Sequence, residues 1–204
     1  MPSEPVPPAA ATAEAGLGLR ERKKLRTRRT IREAARRLID EQGYEGTTVE
    51  QIAAAAEVSP STVFRYFPTK EHLVLTDDFA APAIELLRAR PADEPPPVAM
   101  REALTALVRA LSEDYSEEYR WRRKLVRTVP AVRAHMHEVQ DALIGAASAA
   151  LAERTGRAHD DLEIRVVVGA MTGAFHQVLW GDHNQEGDVL DMAEQALAVL
   201  ERGL

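Results

Sequence analysis

The stretch Thr47–Lys70 reads TTVEQIAAAAEVSPSTVFRYFPTK and has the pattern of two short helices joined by a tight turn. Thr48 is placed to cap the first helix, and Gln51 three residues later completes a capping box. Apolar side chains then recur at helical spacing, at Val49, Ile52, Ala53 and Ala56. The first helix is therefore expected to end in a turn at Ala56–Val58.

The second helix should begin at Ser59, because its hydroxyl can cap the helix and Pro60 suits the first helical position. Pro68 disfavours helical geometry at the residue before it and should end the helix there. Val63 and Phe67 are predicted to face inward. The side chains left to face outward are Ser61, Thr62, Phe64, Arg65 and Tyr66. Such a helix, turn and polar second helix fits a DNA major groove.

The composition of the 204 residues favours helices, since aromatic residues make up only 5% of the chain. Cysteine is absent, so we expect no disulfide and no Cys-based zinc site. No run approaches 18 apolar residues, which predicts no membrane partner and a cytoplasmic location. The sequence shows no Gly-rich phosphate loop, metal-ligand spacing or nucleophile motif. We therefore expect no cofactor, no metal site and no catalytic residue.

The net charge of −6 hides a strong asymmetry. Arg20–Arg37 holds ten Lys/Arg and two acids, a local charge of +8, which leaves −14 for the rest of the chain. This distribution predicts one end that meets a polyanion and an acidic remainder that repels it. A solvated helix face is the alternative interpretation of the basic run.

The domain organisation is predicted as a disordered tail at 1–19, a DNA-binding domain at 20–75 and a larger domain at 76–204. Arg20–Arg29 should form a basic arm leading into helix 1. The next helix after the motif should span Lys70–Ala89, with Pro82 kinking it in mid-helix. Pro91–Pro97, PADEPPP, should separate the N-terminal unit from a helical body. The body helices are expected at Val98–Asp114, Ser116–Val126, Pro130–Arg154, Asp160–Gly181 and Gly187–Arg202, giving an all-α protein of about nine helices.

The segment Lys24–Leu75 resembles the DNA-binding domain of TetR-family transcriptional regulators through GYEGTTVEQIA and AEVSPSTVFRYFPTKEHL. GLRERKK and the RYF-x-x-K run also resemble the subset that includes mycofactocin-system regulators. The resemblance implies a three-helix DNA-binding domain, a C-terminal ligand-binding and dimerisation domain, and a homodimer on a palindromic operator. It also implies a repressor that leaves double-stranded DNA when a small molecule binds. An activator of the same fold and a non-specific nucleoid protein are the alternatives.

The same resemblance implies a set of DNA contacts. Phosphate contacts fall to Thr48, Lys70 and members of the basic run, and groove contacts to the start and outer face of the second helix. The full set is Arg26, Arg28, Thr48, Ser59, Pro60, Ser61, Thr62, Arg65, Tyr66 and Lys70. Phe64 and Tyr66 depart from the tyrosine and histidine that other members carry there, so the operator sequence cannot be transferred.

Two of these positions can be argued from chemistry alone. Lys70 at a helix start adds positive charge to the positive end of the helix dipole, a cost that a bound phosphate would remove. Arg65 can donate two hydrogen bonds to guanine. A phosphate contact or a solvent-facing charge is the alternative for Arg65, and packing against helix 1 is the alternative for Tyr66.

The resemblance also assigns the last two helices to a dimer interface, for which small residues would allow close approach. The expected interface residues are Val166, Gly169, Ala170, Gly173, Ala174, Leu190 and Leu197. Packing of this face inside its own body is the alternative.

A ligand pocket is expected within the body, lined by Tyr115, Tyr119, Trp121, Met136, Met171, Phe175 and His176, with ordinary core packing as the alternative. The basic cluster is Arg120, Arg122, Arg123, Lys124 and Arg127. It is either a solvated face or a partner for an anionic ligand such as an acyl-coenzyme A. His135 and His137 point in different directions on a helix and cannot share one metal.

Overall fold

The computed structural model describes residues 18–75, 80–114, 116–158, 160–181 and 189–202. Within these ranges it has ten helices and no strand, which confirms the predicted all-α class. The helices are α1 Leu19–Gln42, α2 Val49–Ala55, α3 Pro60–Tyr66, α4 Glu71–Val74, α5 Ala80–Arg88, α6 Pro96–Asp114, α7 Ser116–Thr128, α8 Pro130–Thr155, α9 Leu162–Trp180 and α10 Val189–Arg202. The chain divides into two compact units between Val74 and Leu75. Among the described helices, none is long and apolar enough to cross a membrane.

Helix α1 is longer than the sequence predicted, because the basic segment Arg20–Arg29 is part of it rather than an arm that precedes it. Arginine and lysine are good helix formers, and Arg29 also pairs with Glu33 one turn later at 2.9 Å. The apolar face of α1 buries Ile31, Ala34, Ala35 and Ile39. A single helix therefore carries both the basic segment and one wall of the first core.

The core of the first unit joins α1 to the three short helices that follow. Ile52 on α2 and Val63 on α3 have no exposed surface, and Phe67 after α3 is 1% exposed. Together with Leu73 on α4 they form one cluster against the apolar face of α1. Helices of seven residues are not stable alone in water, so α2 and α3 depend on this packing.

The helix predicted at Lys70–Ala89 is not continuous, because α4 ends at Val74 and Leu75 lies in a bend. Phe79 lies outside the described residues. Pro82 is the third described residue of α5, and the residues directly before Ala80 lie outside the described part of the chain. The predicted mid-helix kink at Pro82 therefore stays a prediction.

The segment Pro91–Pro97 runs from the end of α5 into the first turn of α6 inside the second unit and does not separate the units, contrary to expectation. Its conformation is held by Arg90, whose Nε lies 2.9 Å from a carboxylate oxygen of Glu94. Beyond it, α6, α8, α9 and α10 share one core with α5. Helix α9 is capped by Asp161, whose carboxylate accepts from the N–H groups of Glu163 and Ile164, and it therefore begins two residues later than predicted.

Two glycines of α8 offer a matched test of this backbone. Gly156 ends the helix in the left-handed region, with φ +65°, whereas Gly145 lies in an exposed part of the same helix. Gly156→Ala should lower the free energy of unfolding by about 1–2 kcal/mol. Gly145→Ala should raise it by about 0.5–1 kcal/mol, because alanine is the better helix former. Urea unfolding of both variants measures the pair, and equal effects of one sign would contradict the assigned helix end.

Candidate DNA-binding surface and effector cavity

The start of α2 has the predicted capping box. The Gln51 N–H donates to Thr48 Oγ1 at 3.2 Å, and the Thr48 N–H donates to Gln51 Oε1 at 2.9 Å. Gln42 at the end of α1 donates to the same Gln51 oxygen at 2.9 Å. The exposed Thr48 is thus fixed at the point where α1 meets the two-helix motif.

The turn between α2 and α3 requires an unusual backbone conformation. Glu57 has φ 54°, and it is the one non-glycine residue with positive φ in the described part of the chain. The Val58 N–H closes the turn by donating to the Ala53 carbonyl at 2.9 Å. This tight reversal brings the start of α3 directly after the end of α2.

Three hydroxyls converge at the start of α3. Ser59 Oγ accepts from the Thr62 N–H at 3.1 Å, which confirms Ser59 as the helix cap. The same oxygen lies 2.9 Å from both Ser61 Oγ and Thr62 Oγ1. Pro60 occupies the first helical position, as predicted. The hydroxyls are therefore held together at the exposed end of the helix.

The two faces of α3 differ sharply in exposure. Val63 is fully buried, whereas Phe64, the next residue, is 48% exposed. Arg65 is also exposed, and its guanidinium carbon lies 5.4 Å from the centre of the half-buried Tyr66 ring. The outer face of α3 thus presents a cation beside an aromatic ring, and a guanidinium is a group that can donate to guanine in a major groove.

The basic helix α1 contributes the two arginines predicted from the sequence, in different settings. Arg26 is exposed. Arg28 is half-buried, with its guanidinium carbon 5.3 Å from the centre of the Phe67 ring. Arg28 therefore helps to join α1 to the end of α3, whereas Arg26 remains on the surface.

Lys70 contacts the main chain of its own unit, and its expected contact with a DNA phosphate stays a prediction. Its ammonium donates to the carbonyl oxygens of Tyr44 at 2.5 Å and Thr47 at 2.9 Å, and lies 4.0 Å from the centre of the Tyr44 ring. These acceptors belong to the segment between α1 and α2. The structure therefore assigns Lys70 to holding that segment, and through it the start of α2.

Tyr44 connects the same segment to α4. Its hydroxyl donates to Glu71 Oε1 at 2.8 Å, and its ring is 6% exposed. Burial, followed by the hydrogen bond to Glu71, raises the pKa of Tyr44 above its ordinary value. The phenol therefore stays protonated and keeps donating at neutral pH.

The assigned role of Lys70 predicts a stability effect. Lys70→Met keeps the aliphatic stem but removes two hydrogen bonds from a charged donor, and should cost about 1–3 kcal/mol of unfolding free energy. Lys24→Met on the exposed face of α1 is the matched control and should change stability little. If Lys70→Met were neutral in stability but lowered the salt dependence of DNA binding, Lys70 would be a phosphate contact instead.

The second unit contains a cavity of about 200 Å³ at the junction of α7, α8 and α9. Its lining residues are Val126, Arg127, Arg133, Met136, His137, His176 and Trp180. Of the predicted pocket residues, only Met136 and His176 are among them. Val126, Arg133 and His137 were missed, because the three helix ends that form the cavity meet only in the folded chain. Arg127 could have been found from the basic cluster to which it belongs.

A histidine pair lies against this cavity. The rings of His137 and His176 are stacked, with centroids 6.1 Å apart and planes inclined by 27°. Burial, followed by the neighbouring His137, lowers the pKa of His176 below its ordinary value. His135 lies elsewhere, with Nδ1 3.0 Å from Glu138.

The other predicted pocket residues that the structure describes do not line the cavity. Tyr119 donates its hydroxyl to the Leu179 carbonyl and packs its ring 5.7 Å from that of Trp180, and burial raises its pKa to about 12. Met171 and Phe175 are buried in the core of the second unit. Trp121 is half-buried and does not line the cavity. Tyr115 lies outside the described residues.

The basic cluster of α7 divides between one solvated face and two arginines with partners inside the unit. Arg122 is 3% exposed and paired with Glu118, and Arg123 donates to the Gly181 carbonyl at 3.1 Å. The exposed members are Arg120, Lys124 and Arg127. These three are spaced i, i+4 and i+7 and share one face of α7, and only Arg127 of the cluster lines the cavity.

Most residues predicted for a dimer interface lie on one accessible side of α9. Val166 is 59% exposed, and Gly169, Ala170 and Gly173 are also exposed. Ala174 and Leu190 are half-buried. Leu197 has no exposed surface, because it packs in the core of its own unit, so its assignment to an interface was wrong. Leu162, which was not among the predicted residues, is 73% exposed at the start of α9.

The lowered pKa of His176 predicts a pH effect on stability. The unfolded chain binds a proton near the ordinary value of 6.5, whereas the folded chain resists it, so stability should fall as pH drops below 6.5. In His176→Gln this loss should be smaller. Denaturant midpoints above and below that pH measure the difference, and equal losses in the two chains would contradict the assigned environment.

A capped helix-turn-helix beside a basic helix, followed by a separate helical unit, defines a DNA-binding transcriptional regulator. The family model for bacterial regulatory proteins of the tetR family matches residues 31–76. The model for the MftR C-terminal domain matches residues 94–204. The chain therefore belongs to the TetR family of transcriptional regulators.

Relatives agree with this membership. The chain is 46% identical over 103 residues to the HTH-type transcriptional regulator TcmR of Streptomyces glaucescens, a match that covers 50% of this chain and 46% of TcmR. It is 29% identical to the HTH-type transcriptional repressor AcnR of Corynebacterium efficiens, covering 86% of this chain and 94% of AcnR. Among solved structures, Thermus thermophilus FadR, a TetR-family repressor in complex with lauroyl-CoA, has a TM-score of 0.53 at 26% identity, covering 87% of this chain and 94% of FadR.

Proposed function

We propose that this chain is a ligand-responsive repressor that binds a palindromic operator as a homodimer and leaves it when a small molecule occupies the second unit. The observation that carries the proposal is the exposed polar face of α3, fixed by the full burial of Val63 behind it. The names of the relatives AcnR and FadR support repression. The −8 net charge of residues 75–204 disfavours a non-specific nucleoid protein, which would need basic surface in both units.

The proposed DNA contacts divide by position on the motif. Arg65, Tyr66 and Thr62 face the groove from α3. Ser59, Pro60 and Ser61 lie at its start, near the groove floor. Thr48 and the arginines of α1, led by Arg26, are proposed to contact phosphates, which sets affinity without sequence preference. Lys70 contributes through the Tyr44 and Thr47 carbonyls that it holds.

Arg65→Ala should lower affinity for the selected operator by about 1–3 kcal/mol and relax the preference at one base position. The exposed guanidinium is the only arginine on α3, so no neighbouring arginine of that helix can replace it. Fluorescence anisotropy on operator and random duplexes measures the effect, with Arg120→Ala on α7 as control. Equal weakening on both duplexes would make Arg65 a phosphate contact.

The dimer is proposed to form through the exposed side of α9, together with α10 packed beside it. Gly169 and Gly173 have no atom within 4 Å of an added Cβ, so this strip of backbone is open in the single chain. Open backbone lets a partner helix approach closely, while exposed Leu162 and Val166 supply apolar surface to bury. A second copy would place a second α3 in a successive major groove.

Gly173→Arg should turn the dimer into a monomer and weaken operator binding, because a long charged side chain would enter the proposed interface. Gly145→Arg is the matched control, since Gly145 is also helical, exposed and free of neighbours. Sedimentation velocity and circular dichroism together separate dissociation from unfolding. A Gly173→Arg chain that remains dimeric would place the interface elsewhere.

Repression requires coupling between ligand and operator. The ligand must favour one state of the dimer and the operator another, and each must then weaken the binding of the other by the same factor. Addition of a bound effector to the operator complex tests this directly. An effector that binds without changing operator affinity would limit the protein to constitutive DNA binding.

A further inference from the structure

We propose that the cavity at the junction of α7, α8 and α9 binds a compact organic acid, whose carboxylate is held by Arg133 and the His137–His176 pair and whose apolar body packs on Val126, Met136 and Trp180. The inference rests on the proposed function, because it names the ligand class of the effector site. It departs from the pocket expected from the sequence, since most of these residues were not in that set.

The lining of the cavity carries positive charge. Two arginines and two histidines line the cavity, and none of its described lining residues is acidic. This is unusual for its surroundings, because residues 75–204 hold 14 Lys/Arg against 22 Asp/Glu. Glu138, the acid that follows on α8, is paired with His135, which does not line the cavity. A cationic cavity in an acidic unit favours an anionic occupant.

The cavity is small and partly apolar. At about 200 Å³ the cavity is smaller than pockets for drug-sized ligands, which begin near 300 Å³. Met136 is buried at one side and Trp180 is half-buried beside it, so the ligand also meets apolar and aromatic surface. A single carboxylate on a small planar body fits both the charge and the size.

The cavity is lined by groups that can change charge near neutral pH. The charged and titratable groups that line the cavity are Arg127 from α7, Arg133 and His137 from α8, and His176 from α9. The His176 ring is stacked 6.1 Å from that of His137, and burial, followed by His137, lowers the pKa of His176. A carboxylate beside His176 would favour its charged form, so binding should take up a proton and strengthen as pH falls.

Helix α9 connects this site to the proposed dimer face. His176 and Trp180 lie on the cavity, whereas Gly169 and Gly173 lie on the exposed side of the same helix. A ligand that draws the end of α9 toward α8 would therefore act on the helix through which two copies are proposed to pair. This gives the effector a physical route to the spacing of the two recognition helices.

The test is calorimetric titration of the full chain with benzoate, and with benzamide as a neutral ligand of the same size. Benzoate should bind about tenfold or more tightly than benzamide, and Arg133→Gln should weaken it by a similar factor. Arg120→Gln, an exposed arginine outside the cavity, is the matched control. Benzoate affinity should also fall between about pH 6 and about pH 8.

Decanoate and lauroyl-CoA complete the series. Equal binding of benzoate and benzamide, benzoate binding that survives Arg133→Gln, or binding of lauroyl-CoA without benzoate would each overturn the inference, as would no binding at all. Operator binding by the same samples is measured separately. If the protein binds the operator but not benzoate, the proposed organic-acid site is wrong while the DNA-binding function stands. If benzoate binds as expected without releasing the operator, ligand-responsive repression fails while the site stands.

Discussion

The complete burial of Val63 and Phe67 against α1 is the constraint on which the DNA-binding surface depends. A seven-residue helix cannot hold its own position in water, so tertiary packing must fix both its place and its rotation. Because these two side chains point into the core, Arg65 lies on the exposed face of α3. The same packing draws in α1, whose Arg28 lies over the Phe67 ring. The groove-facing surface is therefore a consequence of the core behind it.

The sequence predicted the elements that depend on local chemistry. The Thr48 capping box, the Ser59 cap and the end of α3 before Pro68 all involve residues at most four apart, and the structure contains each of them. Lys70 could not be placed in this way, because its acceptor at Tyr44 is 26 residues away. Its positive charge predicted a bound anion, whereas in the folded chain its ammonium donates to two carbonyl oxygens.

The helices of the second unit were predicted well, whereas most residues that line its cavity were not among the predicted ones. Helix periodicity gives the faces of α8 and α9, but a cavity between helix ends depends on how three helices meet. Counting aromatic and polar residues therefore found His176 and missed Arg133 and His137. Leu197 is a second example. The sequence pattern of an apolar helix position is the same whether the side chain faces its own core or a partner chain.

Selection of bound duplexes from a random DNA pool by the full chain is the measurement that tests the central claim most directly. The account predicts enrichment of one two-fold symmetric sequence, with half-sites separated by about 10 base pairs or a multiple of that distance. Two symmetric copies of α3 can read successive turns of the major groove only in that arrangement. A pool that shows no enriched sequence, or one without two-fold symmetry, would contradict the account.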